Sequence, residues 1–217
     1  HTITKTVPTL TSFLSNDKRI KKLIGVSFQE AKVKLVAQES YEFTGPFIFT
    51  HKGISGPAVF ALSAYSAYSD FSKGARLNID FVQKLNREKL RSEFENSPNK
   101  KMIQEVAKYA TKSFAEAIGV NRTKNVNEIS KKDMHKIIEN LKKFEINITG
   151  RTPGREIVTA GGIDLNEIDK KTMQSKISPG LYFAGEILDV DGLTGGYNLQ
   201  NAWATGMLAG KSAASAH

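Results

Sequence analysis

Apolar and charged positions alternate through much of the first eighty residues. Ala31 to Ala37 reads AKVKLVA, and Phe43 to Thr50 is aromatic and β-branched around Gly45-Pro46, which predicts paired strands with a break at the proline. A short helix is expected at Leu10 to Leu23. In FTHKGISGPAVF, Gly53, Gly56 and Pro57 mark a passage from strand to helix, with the proline suited to the first turn. Ala75 to Phe81 (ARLNIDF) alternates again. From residue 86 to about 143 the period changes: Met102, Ile103, Val106, Ala110, Phe114, Ala117 and Ile118 recur mostly at three and four. Ser130 with Asp133 reads as a capping start for a helix carrying Met134, Ile137, Ile138 and Leu141. These stripes predict a small helical bundle packed on itself. Phe144 to Thr149 and Glu156 to Ala160 are strand patterns on either side of the turn at 150–154, and Gly161-Gly162 ends the second.

Gly180 to Gly210, GLYFAGEILDVDGLTGGYNLQNAWATGMLAG, organises the rest. Leu181 to Ala184 has the length and composition of a buried strand. A loop with Asp189 and Asp191 follows and closes at Gly195-Gly196. From Asn198 a helix is expected whose Leu199, Ala202, Trp203, Gly206, Ala209 and Gly210 form a narrow, smooth stripe able to lie tight against a sheet. Such a strand, glycine turn and helix start aim unpaired N–H groups and the positive end of a helix dipole at one point, which favours an electron-rich ligand atom. Spacing alone fits a ligand-free turn equally well.

The chain has 217 residues, 40% hydrophobic and 24% charged, the composition of an ordinary globular protein with room for one large or two modest domains. No apolar run approaches the roughly 20 residues of a membrane helix. It has no cysteine, which removes disulfide scaffolding, cysteine-ligated metals and a redox dithiol, so redox chemistry would belong to a bound cofactor, and a cytoplasmic setting is compatible. No metal site is expected. Net charge is +9, yet Leu181 to His217 holds only Lys211 against Glu186, Asp189 and Asp191. The excess of base lies in the first 180 residues, where lysines are interleaved with acids on helical faces. A solvated surface is therefore preferred to a nucleic-acid footprint, and specific nucleic-acid binding is not expected.

GLYFAGE at Gly180–Glu186, LDVDG at Leu188–Gly192 and TGGYNLQ at Thr194–Gln200 closely resemble the C-terminal flavin-binding segment of the YhiN/BaiN-type FAD-dependent oxidoreductases. The FTH and GISGP pieces around His51 resemble the signature of that family's insert domain, and VTAGG at Val158–Gly162 the segment returning the chain to the flavin domain. The resemblance covers nearly the whole chain. It implies an α+β insert region at 1–155, with a β-rich unit at about 1–82 and a helical bundle at about 86–143, and the C-terminal part of a Rossmann-like FAD-binding domain at 156–217. It also implies that Gly185 and Glu186 lie near the ribityl and pyrophosphate part of FAD, that Asp191 is among the cofactor-binding residues, and that Gly195, Gly196, Tyr197, Asn198 and Leu199 meet the pyrimidine edge of the flavin. Thr159, Gly161 and Gly162 would approach the ring. His51 is the candidate for substrate binding or proton transfer; His1, His135 and His217 read as terminal or surface residues.

The main departure from the family is an absence: no GxGxxG turn occurs. The chain is thus expected to be a fragment lacking the N-terminal half of the FAD domain and to bind FAD weakly or not at all alone. The intact protein would be a flavoprotein oxidoreductase transferring hydride to or from a small organic substrate, with NAD(P)H as reductant. A non-catalytic remnant and a basic nucleic-acid-binding module are the alternatives.

Overall fold

The computed structural model describes residues 1–215, so His217 lies outside the described residues. The architecture is mixed α and β, with a large sheet, several helices and two compact units. Unit 2 comprises Ser12–Leu62 and Ser69–Thr152; unit 1 comprises His1–Thr11, Ser63–Tyr68 and the chain from Pro153 on.

Unit 1 begins with β1 (Ile3–Thr9). Unit 2 then contributes β2 (Phe13–Leu14), β3 (Ser27–Val36), β4 (Ser40–Thr50), β5 (Gly53–Ser55), β6 (Ala75–Asp80), β7 (Phe144–Ile148) and β8 (Gly150–Arg151) to one antiparallel sheet of order β7-β6-β3-β4-β5-β2-β8. In β3, Phe28, Ala31, Val33 and Leu35 are buried while most of the intervening residues face water, as the alternation predicts. β4 is continuous, so the break expected at Gly45-Pro46 takes another form. Gly45 pairs with Ala31 and Phe47 with Phe28, so the irregularity falls on the facing strand β3. A bulge there accommodates the proline, which has no N–H to give the ladder.

The helices of this unit are α1 (Pro57–Tyr65), whose last three residues belong to unit 1, and α2 (Arg87–Glu95), α3 (Met102–Val106), α4 (Lys112–Ala117) and α5 (Lys131–Lys142). Ser130 caps α5 as its sequence suggests, its Oγ accepting from Asp133 N at 3.1 Å. The helices do not form a bundle closed on itself. Phe94, Val106, Phe114, Ile138 and Leu141 join the sheet residues Val33, Phe49, Leu77 and Phe144 in one core. Its centre is aromatic: Phe81 lies 4.5 Å from both Phe28 and Phe114, and Phe114 lies 5.1 Å from Phe144, centroid to centroid.

The helix expected at Leu10 to Leu23 is not formed. Phe13 and Leu14 pair instead with Ile54 and Gly53 on one side and with Arg151 and Gly150 on the other, and only Ile20–Lys22 makes a single 3₁₀ turn. Apolar residues at helical spacing were placed by long-range pairing, which local periodicity does not report.

In unit 1, β1 pairs antiparallel with β9 (Val158–Ile163), and α6 (Tyr197–Ala214) closes the described chain. The strand expected at Leu181–Ala184 is reduced to one bridge between Tyr182 and Gln174. The core is small: Ile163, Ile168, Met173 and Leu188, flanked by Phe183, Val190, Leu208 and Ala209. No described helix is long and apolar enough to cross a membrane.

Phe114 is fully buried against the rings of Phe28, Phe81 and Phe144. Phe114→Ala is therefore expected to lower the stability of the protein by about 3–5 kcal/mol in urea unfolding followed by near-UV circular dichroism. A loss under about 1 kcal/mol would mean that the aromatic cluster does not hold this unit together.

Candidate functional site

Unit 1 holds a cleft of about 260 Å³ lined by Leu10, Ile157, Val158, Glu186, Leu193, Thr194, Gly195, Gly196, Asn198, Leu199 and Ala202. That is below the roughly 300–1,000 Å³ of cavities that enclose a whole small ligand, so it suits one edge of a larger molecule. Its wall is the loop leading into α6. Gly196 precedes that helix with φ 89°, a left-handed conformation that glycine adopts without strain, and no side chain caps the helix. The first N–H groups of α6 have no partner within the helix, and Gly195, Gly196, Asn198 and Leu199 at its start line the cleft.

The loop is held in place by its own side chains. Asn198 Oδ1 accepts from Gly192 N at 2.7 Å and Asn198 Nδ2 donates to Gly192 O at 2.8 Å. The Asn198 amide is thus engaged, leaving the main chain as the donor of this turn. Thr9 Oγ1 donates to Asp191 Oδ1 at 3.1 Å, tying the acidic loop to β1. Half-burial pushes the Asp191 carboxyl above the ordinary aspartate range, opposed by the Thr9 hydroxyl bond.

Of the residues singled out in the sequence, Glu186, Gly195, Gly196, Asn198 and Leu199 line one cleft. Tyr197 is 65% exposed, with its ring beside Gly195. The Gly185 N–H donates to Thr205 Oγ1 at 3.0 Å, fastening the 185–187 turn to α6. Thr159 is exposed and pairs with Pro8. Gly161 and Gly162 are buried against backbone. A Cβ on Gly161 would lie 2.5 Å from the Lys5 carbonyl oxygen, and one on Gly162 would lie 2.4 Å from that of Ile187. Their lack of side chains lets three backbone segments meet. His51 is exposed, at the turn between β4 and β5 in unit 2.

Sequence reasoning missed the apolar floor: Leu10, Ile157, Val158 and Leu193. Leu10 is 4% exposed with φ 46°, rare for a branched side chain, and no local signal marks it. The smooth stripe of α6 is also not packed as its sequence suggests. Gly206 and Gly210 face open space, and Leu199, Trp203 and Met207 are 75%, 70% and 52% exposed.

Residues 7–157 match the HI0933-like protein barrel and H2TH domain, and residues 112–212 match the HI0933-like protein Rossmann domain. The chain is 31% identical over 176 residues to the ribosomal RNA dihydrouridine synthase of Escherichia coli, covering 79% of this chain and 43% of that protein. It is 32% identical over 199 residues to the protein of the same name from Haemophilus influenzae, covering 89% and 48%. It is 31% identical over 227 residues to the 3-dehydro-bile acid delta(4,6)-reductase of Clostridium scindens, covering 99% and 55%. The chain spans about half the length of these curated relatives.

A raised Asp191 pKa means that the folded chain binds this proton more tightly than the unfolded chain does. The resulting destabilisation is absent below the ordinary value of 3.8 and develops as pH rises through the folded value. Asp191→Asn is expected to raise the melting temperature at pH 7 and to leave it unchanged below that value, in paired melts across the range. A pH-independent difference would contradict the burial of this carboxyl.

Proposed function

The chain belongs to the HI0933-like family, the YhiN/BaiN-type flavoprotein oxidoreductases, and from that premise we propose that the cleft of unit 1 is one half of an FAD site. The observation that carries the proposal is the uncapped start of α6 opening on a cleft with an apolar floor. Main-chain donors at Gly195, Gly196, Tyr197 and Leu199 would hold an electron-rich ring edge, aided by the positive end of the helix. Leu10, Ile157, Val158 and Leu193 would cover the ring and exclude water, and Asn198 would fix the loop through Gly192. Glu186 at the rim and Asp191 behind the loop would lie toward the ribityl and pyrophosphate groups, with Thr159 at the edge of β9. Gly161 and Gly162 would act indirectly, by setting the distance between β9 and the 185–187 turn.

The other half of the site would come from further polypeptide such as the longer relatives possess. Two features support this. Among the described residues, every exposed large hydrophobic side chain except Ile24 belongs to unit 1, and the core of that unit is small. Exposed apolar side chains in this number fit a surface that another segment covers.

When bound, FAD would supply hydride for reduction of a small organic substrate and regain it from NAD(P)H. The relatives are named for making dihydrouridine and for reducing a bile acid at delta(4,6), which are both saturations of a carbon–carbon double bond. We assign this chain to the same reaction class, in a cytoplasmic protein. His51 is the proposed proton-transfer or substrate-binding residue from unit 2.

Gly196→Val would strain the turn and fill the donor face. In the protein together with its completing polypeptide, this change is expected to lower bound flavin at least tenfold, about 1.4 kcal/mol of binding, read from absorbance after gel filtration. The chain of 217 residues alone should elute without flavin. Stoichiometric yellow flavin on that chain would overturn the half-site assignment, and full flavin loading of the Gly196→Val protein would overturn the role of the turn.

A further inference from the structure

Leu10 and Met173 are the described non-glycine residues with positive φ, at 46° and 62°. Met173 lies in the small core of unit 1, which gives its side chain a packing role. Leu10 is 4% exposed yet belongs to neither hydrophobic cluster, and it lines the cleft of unit 1. A branched residue stays in the left-handed region only where its surroundings over-determine it, and such residues gather at ligand sites. Here the surroundings are fixed on both sides. Before Leu10, the backbone of Thr9 pairs with Val158, and Thr9 Oγ1 donates to Asp191 Oδ1 at 3.1 Å. After it, the Thr11 N–H donates to Ser63 Oγ at 2.9 Å. Thr9, Thr11 and Ser63 are all fully buried. The chain bends at Leu10, so this one residue takes up the change of direction between two fixed points.

Glycine would make this bend without strain, so a leucine held there calls for a use of its side chain. We propose that Leu10 is a shape-determining contact for the ring of a flavin bound in the cleft, and that Thr9 and Ser63 are positioning residues that hold it there. The inference rests on the half-site reading of the cleft. A branched side chain fixed in one backbone conformation offers an apolar ring face a preformed wall, and little freedom is lost when the ring arrives. Ser63 stands near the end of α1 and is not among the residues that line the cleft. It acts only through the backbone of Thr11 and Leu10.

Melts of the 217-residue chain without flavin test the backbone part. At an ordinary position alanine is more stabilising than glycine, and at positive φ the order reverses. Leu10→Gly is therefore expected to melt about 2 °C or more above Leu10→Ala. An equal or lower melting temperature for Leu10→Gly would overturn the strained positioning. In the protein together with its completing polypeptide, Leu10→Ala is expected to weaken FAD about tenfold and to raise iodide quenching of the bound flavin's fluorescence, because an apolar wall is lost. Ser63→Ala should weaken FAD about threefold or more on its own and less than about twofold once Leu10 is alanine, because the two act through one contact. Thr9→Val should show the same dependence on Leu10, which keeps the test open if Ser63→Ala does not fold. Additive losses in the double mutants would overturn the positioning roles of Thr9 and Ser63. Unchanged FAD affinity in Leu10→Ala, beside a wild-type protein that binds FAD, would overturn the contact alone. A wild-type protein that binds no FAD would overturn the half-site reading and the contact with it.

Discussion

The approach of three backbone segments at Gly161-Gly162 is the constraint on which the arrangement of unit 1 depends. The Lys5 carbonyl lies against Gly161 and the Ile187 carbonyl against Gly162, at distances that any Cβ would violate. The contact joins β1, β9 and the 185–187 turn into one rigid piece. That turn is then fastened to α6 by the bond from Gly185 N–H to Thr205, which sets where the helix begins. The cleft is thus placed by main-chain contacts, and the residues lining it need only supply shape and donors.

The same unit is poorly covered at its surface. Leu199, Trp203 and Met207 follow one another at spacings of four on α6, a stripe that normally faces a core. Their exposure accompanies a hydrophobic cluster of four buried residues, where unit 2 has a continuous core built around its phenylalanines. Burial of apolar area is the main favourable term in folding. Under the proposed half-site, further polypeptide would cover these side chains and turn an open cleft into a closed site.

Unit 2 shows the opposite economy. One face of its sheet is filled by interlocking rings and helix side chains, while the other is polar and carries paired and unpaired lysines. The interleaving of Lys with Asp and Glu along the sequence suggested a solvated surface. In three dimensions some of these charges become ion pairs between residues distant in the sequence, such as Lys32 with Glu42 and Lys142 with Asp80. A linear count of charges cannot reveal such pairs, because they are decided by strand register and helix packing.

Alternation in β3 and β6, the Ser130 cap of α5, the helix opening at Pro57 and the glycine turn before α6 were all legible in the sequence, because each is set by neighbours within a few residues. The family was legible too, in the strings around Gly185, Gly195 and His51. The engagement of Asn198 with Gly192, the left-handed Leu10 and the backbone contacts of Gly161 were not. Nor was the pairing that displaced a helix at Leu10 to Leu23, or the open face of α6. Local chemistry determines which element a segment prefers and where it turns. Which side of that element is covered, and by what, depends on residues distant in the chain, and only the tertiary structure brings them together.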